Sequence, residues 1–124
     1  MMTQKNLQAF YQRRVKLNEL ILTLDGLRKI HAEPPDNQTL EMVTDGIQDL
    51  EAEIRQASQD IKAWEEDVAA TLSLLDDVFV RVTARLHYLH GLEWKEVAAF
   101  MNEKSANAVR ARMYRAMKNV IPAE

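Results

Sequence analysis

The segment YLHGLEWKEVAAFMNEKSANAVRARMYRAM, Tyr88 to Met117, carries two helical patterns separated by a turn. Gly91 stands where a preceding helix needs a left-handed residue to end. A short helix is then expected from about Glu93 to Met101, followed by the turn NEKS, in which Asn102 tolerates positive φ and Ser105 can N-cap the next helix. In that last helix Val109, Met113, Ala116, Met117 and Val120 share one face at helical spacing. The opposite arc carries Asn107, Ala111, Tyr114, Arg115 and Lys118, flanked by Arg110 and Arg112, with no acid among them.

Upstream, DDVFVRVTARLHYLH reads as a helix that starts near Asp76 or Asp77 and turns Val78, Val82, Leu86 and Leu89 to one side. Two short helices joined by a tight turn, the second presenting cations, spell a helix-turn-helix whose last helix enters the DNA major groove.

Further toward the N-terminus the period changes. From Leu40, apolar residues recur at alternating spacings of three and four through Val43, Ile47, Leu50, Ile54, Ala57, Ile61, Trp64 and Val68, then Thr71 and Leu75. Such a heptad seam needs a partner. The stretch from about Lys5 to Ile30 offers one through Leu7, Phe10, Leu17, Leu20, Leu24 and Leu27. Between the two lies HAEPPDNQT, where Pro34 and Pro35 stop a helix and Asp36 or Asn37 can cap the next. One antiparallel register pairs Leu24 with Ile47, Leu17 with Ile54, Phe10 with Ile61 and Leu7 with Trp64. It also brings Gly26 close to Gly46, which points to close helix approach or slight bending there. The alternative pairing is between chains, because Ile and Val in one seam row suit parallel two-stranded coiled coils. A homodimer or other homo-oligomer is expected in either case.

The chain is therefore expected to be all-α, with an N-terminal antiparallel, coiled-coil-like helical hairpin over residues 1–72 and a helix-turn-helix over residues 73–124. Composition agrees: only 3 Gly, 3 Pro and 8 aromatic residues stand among 124. The net charge of −3 conceals an asymmetry. Residues 1–71 hold 8 basic against 13 acidic side chains, whereas residues 92–124 hold 6 basic against 4 acidic. A polyanion partner is thus expected at the C-terminal end, and assembly at the acidic one.

Other classes find no support in the residues. There is no Cys, so neither a disulfide framework nor a thiolate metal site can form, which suits a cytoplasmic protein. No apolar run approaches the roughly 20 residues that span a bilayer. His87 and His90 sit three apart without further soft ligands, and Glu65, Glu66 and Asp67 read as a solvated helix face. No glycine-rich phosphate loop or nucleophilic triad is present, so neither enzymatic activity nor a metal or other cofactor is expected.

The residues GLEWKEVAAFM and SANAVRARMYRAM resemble region 4 of sigma-70-type transcription factors and the small phage and prophage regulators built on it. Leu86, Tyr88, Gly91, Trp94, Glu96, Val97 and Ala98 match the first half of that pattern, and Val109, Arg110, Arg112, Met113, Arg115 and Ala116 the second. With its helical N-terminal half, the whole chain is similar to phage late-gene regulators of the ArpU and RinA kind. Three departures stand out: Glu93 replaces the usual Ser or Thr cap, His87 replaces an Arg, and the turn between the helices is one residue longer. The resemblance implies that Lys104, Ser105, Asn107, Arg110, Ala111, Tyr114 and Arg115 meet duplex DNA. Asn107, Arg110 and Arg115 would read base edges, and Lys95, Arg112 and Lys118 would neutralise phosphates. It further implies a role in transcription, with RNA polymerase as a second partner. The runner-up expectation is a helical adaptor or phage assembly or DNA-packaging protein that works mainly through the hairpin.

Overall fold

A computed structural model describes residues 2–124, and these form helices without any strand. The helices are α1 (Gln4–Ala32), α2 (Asn37–Leu72), α3 (Val78–Ala84), which continues into one π-helical turn at Arg85–Leu89, α4 (Trp94–Phe100) and α5 (Ala106–Met117). Among the described residues no helix is long and apolar enough to cross a membrane.

The ends of these helices follow local chemistry. Glu33 separates α1 from Pro34 and Pro35, and α2 begins three residues earlier than its first seam residue because the Asp36 carboxylate accepts the Thr39 amide at 2.6 Å. Asp77 caps α3 by accepting the amides of Phe79 at 2.8 Å and Val80 at 3.4 Å. Gly91 takes φ 71° and donates to the His87 carbonyl at 3.0 Å, closing the π-helical turn. Asn102 takes φ 57°, with its amide on the Ala99 carbonyl and the Glu103 amide on the Ala98 carbonyl, a Schellman end built on Asn.

The chain divides into two compact units, one of residues 16–60 and the other of residues 1–15 with 61–124. In the unit of residues 16–60, Leu17, Leu24 and Val43 are buried, and Leu20, Leu27, Leu40, Ile47, Leu50, Ile54 and Ala57 are half-buried. Arg28 meets Glu51 at 3.5 Å on its surface. Ile21, Leu22, Ile30 and Met42 are exposed.

The glycine expectation needs correction here. A Cβ built on Gly46 would lie 3.3 Å from the Leu27 Cδ1 atom, whereas one built on Gly26 would meet nothing within 4 Å. Close packing thus accounts for Gly46 alone, and Gly26 faces open space.

In the second unit Leu7 and Phe10 from α1, Ile61, Val68 and Leu72 from α2, Leu75, and Ile121 near the C-terminus are all buried. Thr71 is buried too, its hydroxyl donating to the Asp67 carbonyl at 2.8 Å. The chain's tail closes this unit against the start of α1: the Gln4 amide donates to the Pro122 carbonyl at 2.7 Å and the Lys5 amide to the Ala123 carbonyl at 3.2 Å. Two amides that a helix start leaves without intrahelical partners are satisfied in this way.

The face of α3 differs from expectation. Val78 is 64% exposed and Val82 38%, while Leu86 and Leu89 are half-buried; the buried set is Val80, Thr83, Ala84, His87 and Tyr88. Two stripes compete on this helix, and the one turned inward includes a threonine and a histidine. Hydrophobic periodicity counts such residues against a core face, so it selects the wrong stripe.

Gly26→Ala is expected to raise the unfolding free energy by about 0.5–1 kcal/mol, since Ala favours helix and meets no neighbour. Gly46→Ala is expected to gain less, because the Leu27 methyl must move; urea denaturation of the two variants measures the difference.

Candidate nucleic-acid interface

Apolar contact sets the orientation of the two C-terminal helices. Val97 and Ala98 of α4 and Val109 of α5 form a buried cluster, against which Phe79, Leu86, Leu92, Trp94, Met101 and Ala106 pack. Met113 and Met117 continue the inner face of α5 with no measurable exposure. At α4's start the Glu96 carboxylate accepts the Glu93 amide at 3.1 Å, so the acid that stands in place of Ser or Thr still belongs to a satisfied helix end. At α5's start the Ser105 hydroxyl accepts the Ala108 amide at 3.1 Å.

With Val109, Met113 and Met117 inward, helical geometry turns Asn107, Ala111, Arg115 and Lys118 outward. All four are exposed. Arg110 is also exposed and lies at one edge of this arc, its guanidinium carbon 5.5 Å from the Tyr114 ring centre. Lys95 and Lys104 are exposed on α4 and in the turn.

Three residues expected at DNA have other engagements. Ser105 is the helix cap. Tyr114 is half-buried, its ring 6.1 Å from that of Trp94. Arg112 lies at the other edge of the arc, where it meets the Asp77 carboxylate at 2.9 Å and covers the Phe79 ring at 4.2 Å. Asp77 is legible in the sequence as a cap, but its pairing with Arg112 joins residues 35 apart and leaves no local signal.

Behind the interface stands an aromatic column. His87, only 3% exposed, is stacked between Tyr11 and Trp94, with 4.0 Å between ring centres on each side. Tyr88 meets both Tyr11 and His87 edge-on. The His87 Nδ1 atom is 2.8 Å from the Leu92 carbonyl, which can only accept, so Nδ1 carries the proton. Burial pushes the imidazole down to about 4, outweighing the Leu92 hydrogen bond that favours the proton; the charge of Arg110 acts in the same direction as burial. Burial also pushes the Tyr88 hydroxyl well up, helped by Tyr114, and raises Tyr11, helped by Glu93 and Glu96. This column is held neutral at ordinary pH. Tyr11, far away in sequence, has no signal that would have found it.

Because His87 binds its proton more weakly when folded than when unfolded, its contribution to stability is full above about 6.5 and is lost as pH falls toward about 4. The wild-type chain is expected to lose on the order of 2–3 kcal/mol through this group across that window. His87→Phe keeps a ring in the stack and removes the titration, so its unfolding free energy, although lower at neutral pH, is expected to change less over the same window in pH-resolved urea melts. No family model, no curated protein and no solved structure matches the chain.

Proposed function

We propose that this chain is a sequence-specific DNA-binding transcriptional regulator, in which α4 and α5 form a helix-turn-helix and α5 is the recognition helix. One observation carries the reading: the face of α5 opposite Val109, Met113 and Met117 exposes Asn107, Ala111, Arg115 and Lys118, with Arg110 at its edge and no acid anywhere on the helix. A helix about 10–12 Å across enters a major groove of about 12 Å. Asn107, in the first turn, is suited to the paired donor and acceptor of adenine, and Arg110 or Arg115 to guanine. Lys118, Lys95 and Lys104 supply charge for phosphates. The unit 16–60, whose two helical stretches are joined through Pro34 and Pro35, is read as a helical hairpin that serves assembly or contact with RNA polymerase.

A second reading rests on a different surface. Ile21, Leu22, Ile30 and Met42 are exposed on the unit 16–60 and favour a protein partner there. An adaptor or assembly protein would use that surface and leave base sequence unread.

Selection from a randomised duplex library at two salt concentrations separates the two. The regulator enriches one motif, loses it in Asn107→Ala, and in Arg115→Ala/Lys118→Ala loses about 2 from its salt slope. Absence of enrichment by a folded sample contradicts the regulator and leaves the adaptor.

A further inference from the structure

The four cations on α5 and at its C-cap, Lys118, are not equivalent. Arg115 and Lys118 are exposed and form no ion pair among the described residues, and Arg110 leans on Tyr114. Arg112 alone among them forms an ion pair: its Nη2 atom lies 2.9 Å from Asp77 Oδ2, while the other Asp77 oxygen caps α3 through Phe79 and Val80. The guanidinium is held from a second side by the Phe79 ring, 4.2 Å below it.

This pair has little to do for the fold. Both side chains are about half exposed, at 47% each, and an exposed ion pair stabilises a protein only weakly. Apolar packing already joins the two helices, since Phe79 of α3 packs against the buried cluster that includes Val109 of α5. What the pair does change is charge. A guanidinium with a carboxylate at hydrogen-bonding distance attracts a distant phosphate far less than an unpaired one, because the two charges cancel beyond a few ångströms. Arg112 pulls on Asp77 in return, and its hydrogen bond holds that carboxyl below the usual range, so the carboxylate stays charged through the pH range in which the pair matters.

We propose that Asp77 is a built-in counter-ion that withholds Arg112 from DNA phosphates and so limits nonspecific binding by α5. The inference rests on the reading of α5 as a DNA-contacting helix and deepens it. Arg112 has room to act once released. A surface hollow of about 210 Å³ lies beside it, lined by Phe79, Glu103, Ala108, Val109, Arg112 and Arg115, and leaves space on the side of the outer arc where Arg115 lies. Glu103, the acid lining that hollow, has no ion pair with either arginine. Asp77 is therefore the group that sets how many charges α5 and its C-cap offer: three with the pair closed, four with it open.

Asp77→Asn tests this without removing the cap, since Asn accepts the same amides at a helix start, and Asp77→Ser gives a second neutral cap. Binding of the full chain to a short mixed-sequence duplex is measured from about 50 to about 200 mM salt, with the thermal midpoint of each variant as the check on folding. Both neutral-cap variants are expected to steepen the slope of log affinity against log salt by about 0.9, so their advantage over wild type grows about 3.5-fold from the high to the low salt limit. Adding Arg112→Gln to Asp77→Asn is expected to restore the wild-type slope, which separates release of Arg112 from mere loss of a negative charge. A wild-type slope in the folded single variants, or a steep slope that survives in the double variant, overturns the role of Asp77 and leaves α5 as the DNA-contacting helix. If neither wild type nor any variant binds duplex, the reading of α5 falls and the counter-ion role falls with it.

Discussion

Burial of Val97, Ala98 and Val109 in one apolar cluster is the constraint on which the C-terminal helices depend. Each buried valine contributes roughly 1.5–3 kcal/mol relative to exposure, more than a typical surface ion pair or single neutral hydrogen bond. It follows that apolar contact, and not charge, fixes how α5 is rotated. Once Val109, Met113 and Met117 face inward, the positions of Asn107, Arg115 and Lys118 on the outer arc follow from 3.6 residues per turn. The cations could then be changed without turning the helix.

Polar groups inside the same unit are arranged to stay uncharged. His87 sits between two aromatic rings at 3% exposure, where a permanently charged side chain would need a buried partner. Stacking on Tyr11 and Trp94 and a single hydrogen bond to Leu92 satisfy a neutral imidazole instead. Through Tyr11 the column draws the first turns of α1 into the unit that holds α4 and α5. The amides of Gln4 and Lys5, received by carbonyls of the chain's tail, draw them in the same direction. The N-terminal residues are thus part of the platform that carries α5.

Much of this was legible in the sequence because it is local. Gly91 and Asn102 take positive φ where turn chemistry expects it, Asp36 and Ser105 cap the helices they precede, and the inner face of α5 follows its heptad-like spacing. What could not be read depends on distant partners or on polar atoms in the core. The inward stripe of α3 contains Thr83 and His87, so apolar periodicity chose Val78 and Val82, which face water. Gly26 and Gly46 look alike in sequence, and only the position of Leu27 distinguishes them. Arg112 carries no local sign that its charge is paired, because its partner Asp77 stands at the start of another helix.

In the proposed function, the outer arc of α5 is the surface that meets DNA. Amide chemical-shift mapping of the full chain, titrated with a duplex carrying its selected site or a mixed-sequence duplex at low salt, addresses that claim residue by residue. The largest perturbations are expected on Asn107, Ala111, Arg115 and Lys118, extending to Lys95 and Lys104 and sparing Leu22 and Met42. Perturbations centred on residues 16–60 with α5 unchanged, or none at all in a folded sample, would contradict that role of α5.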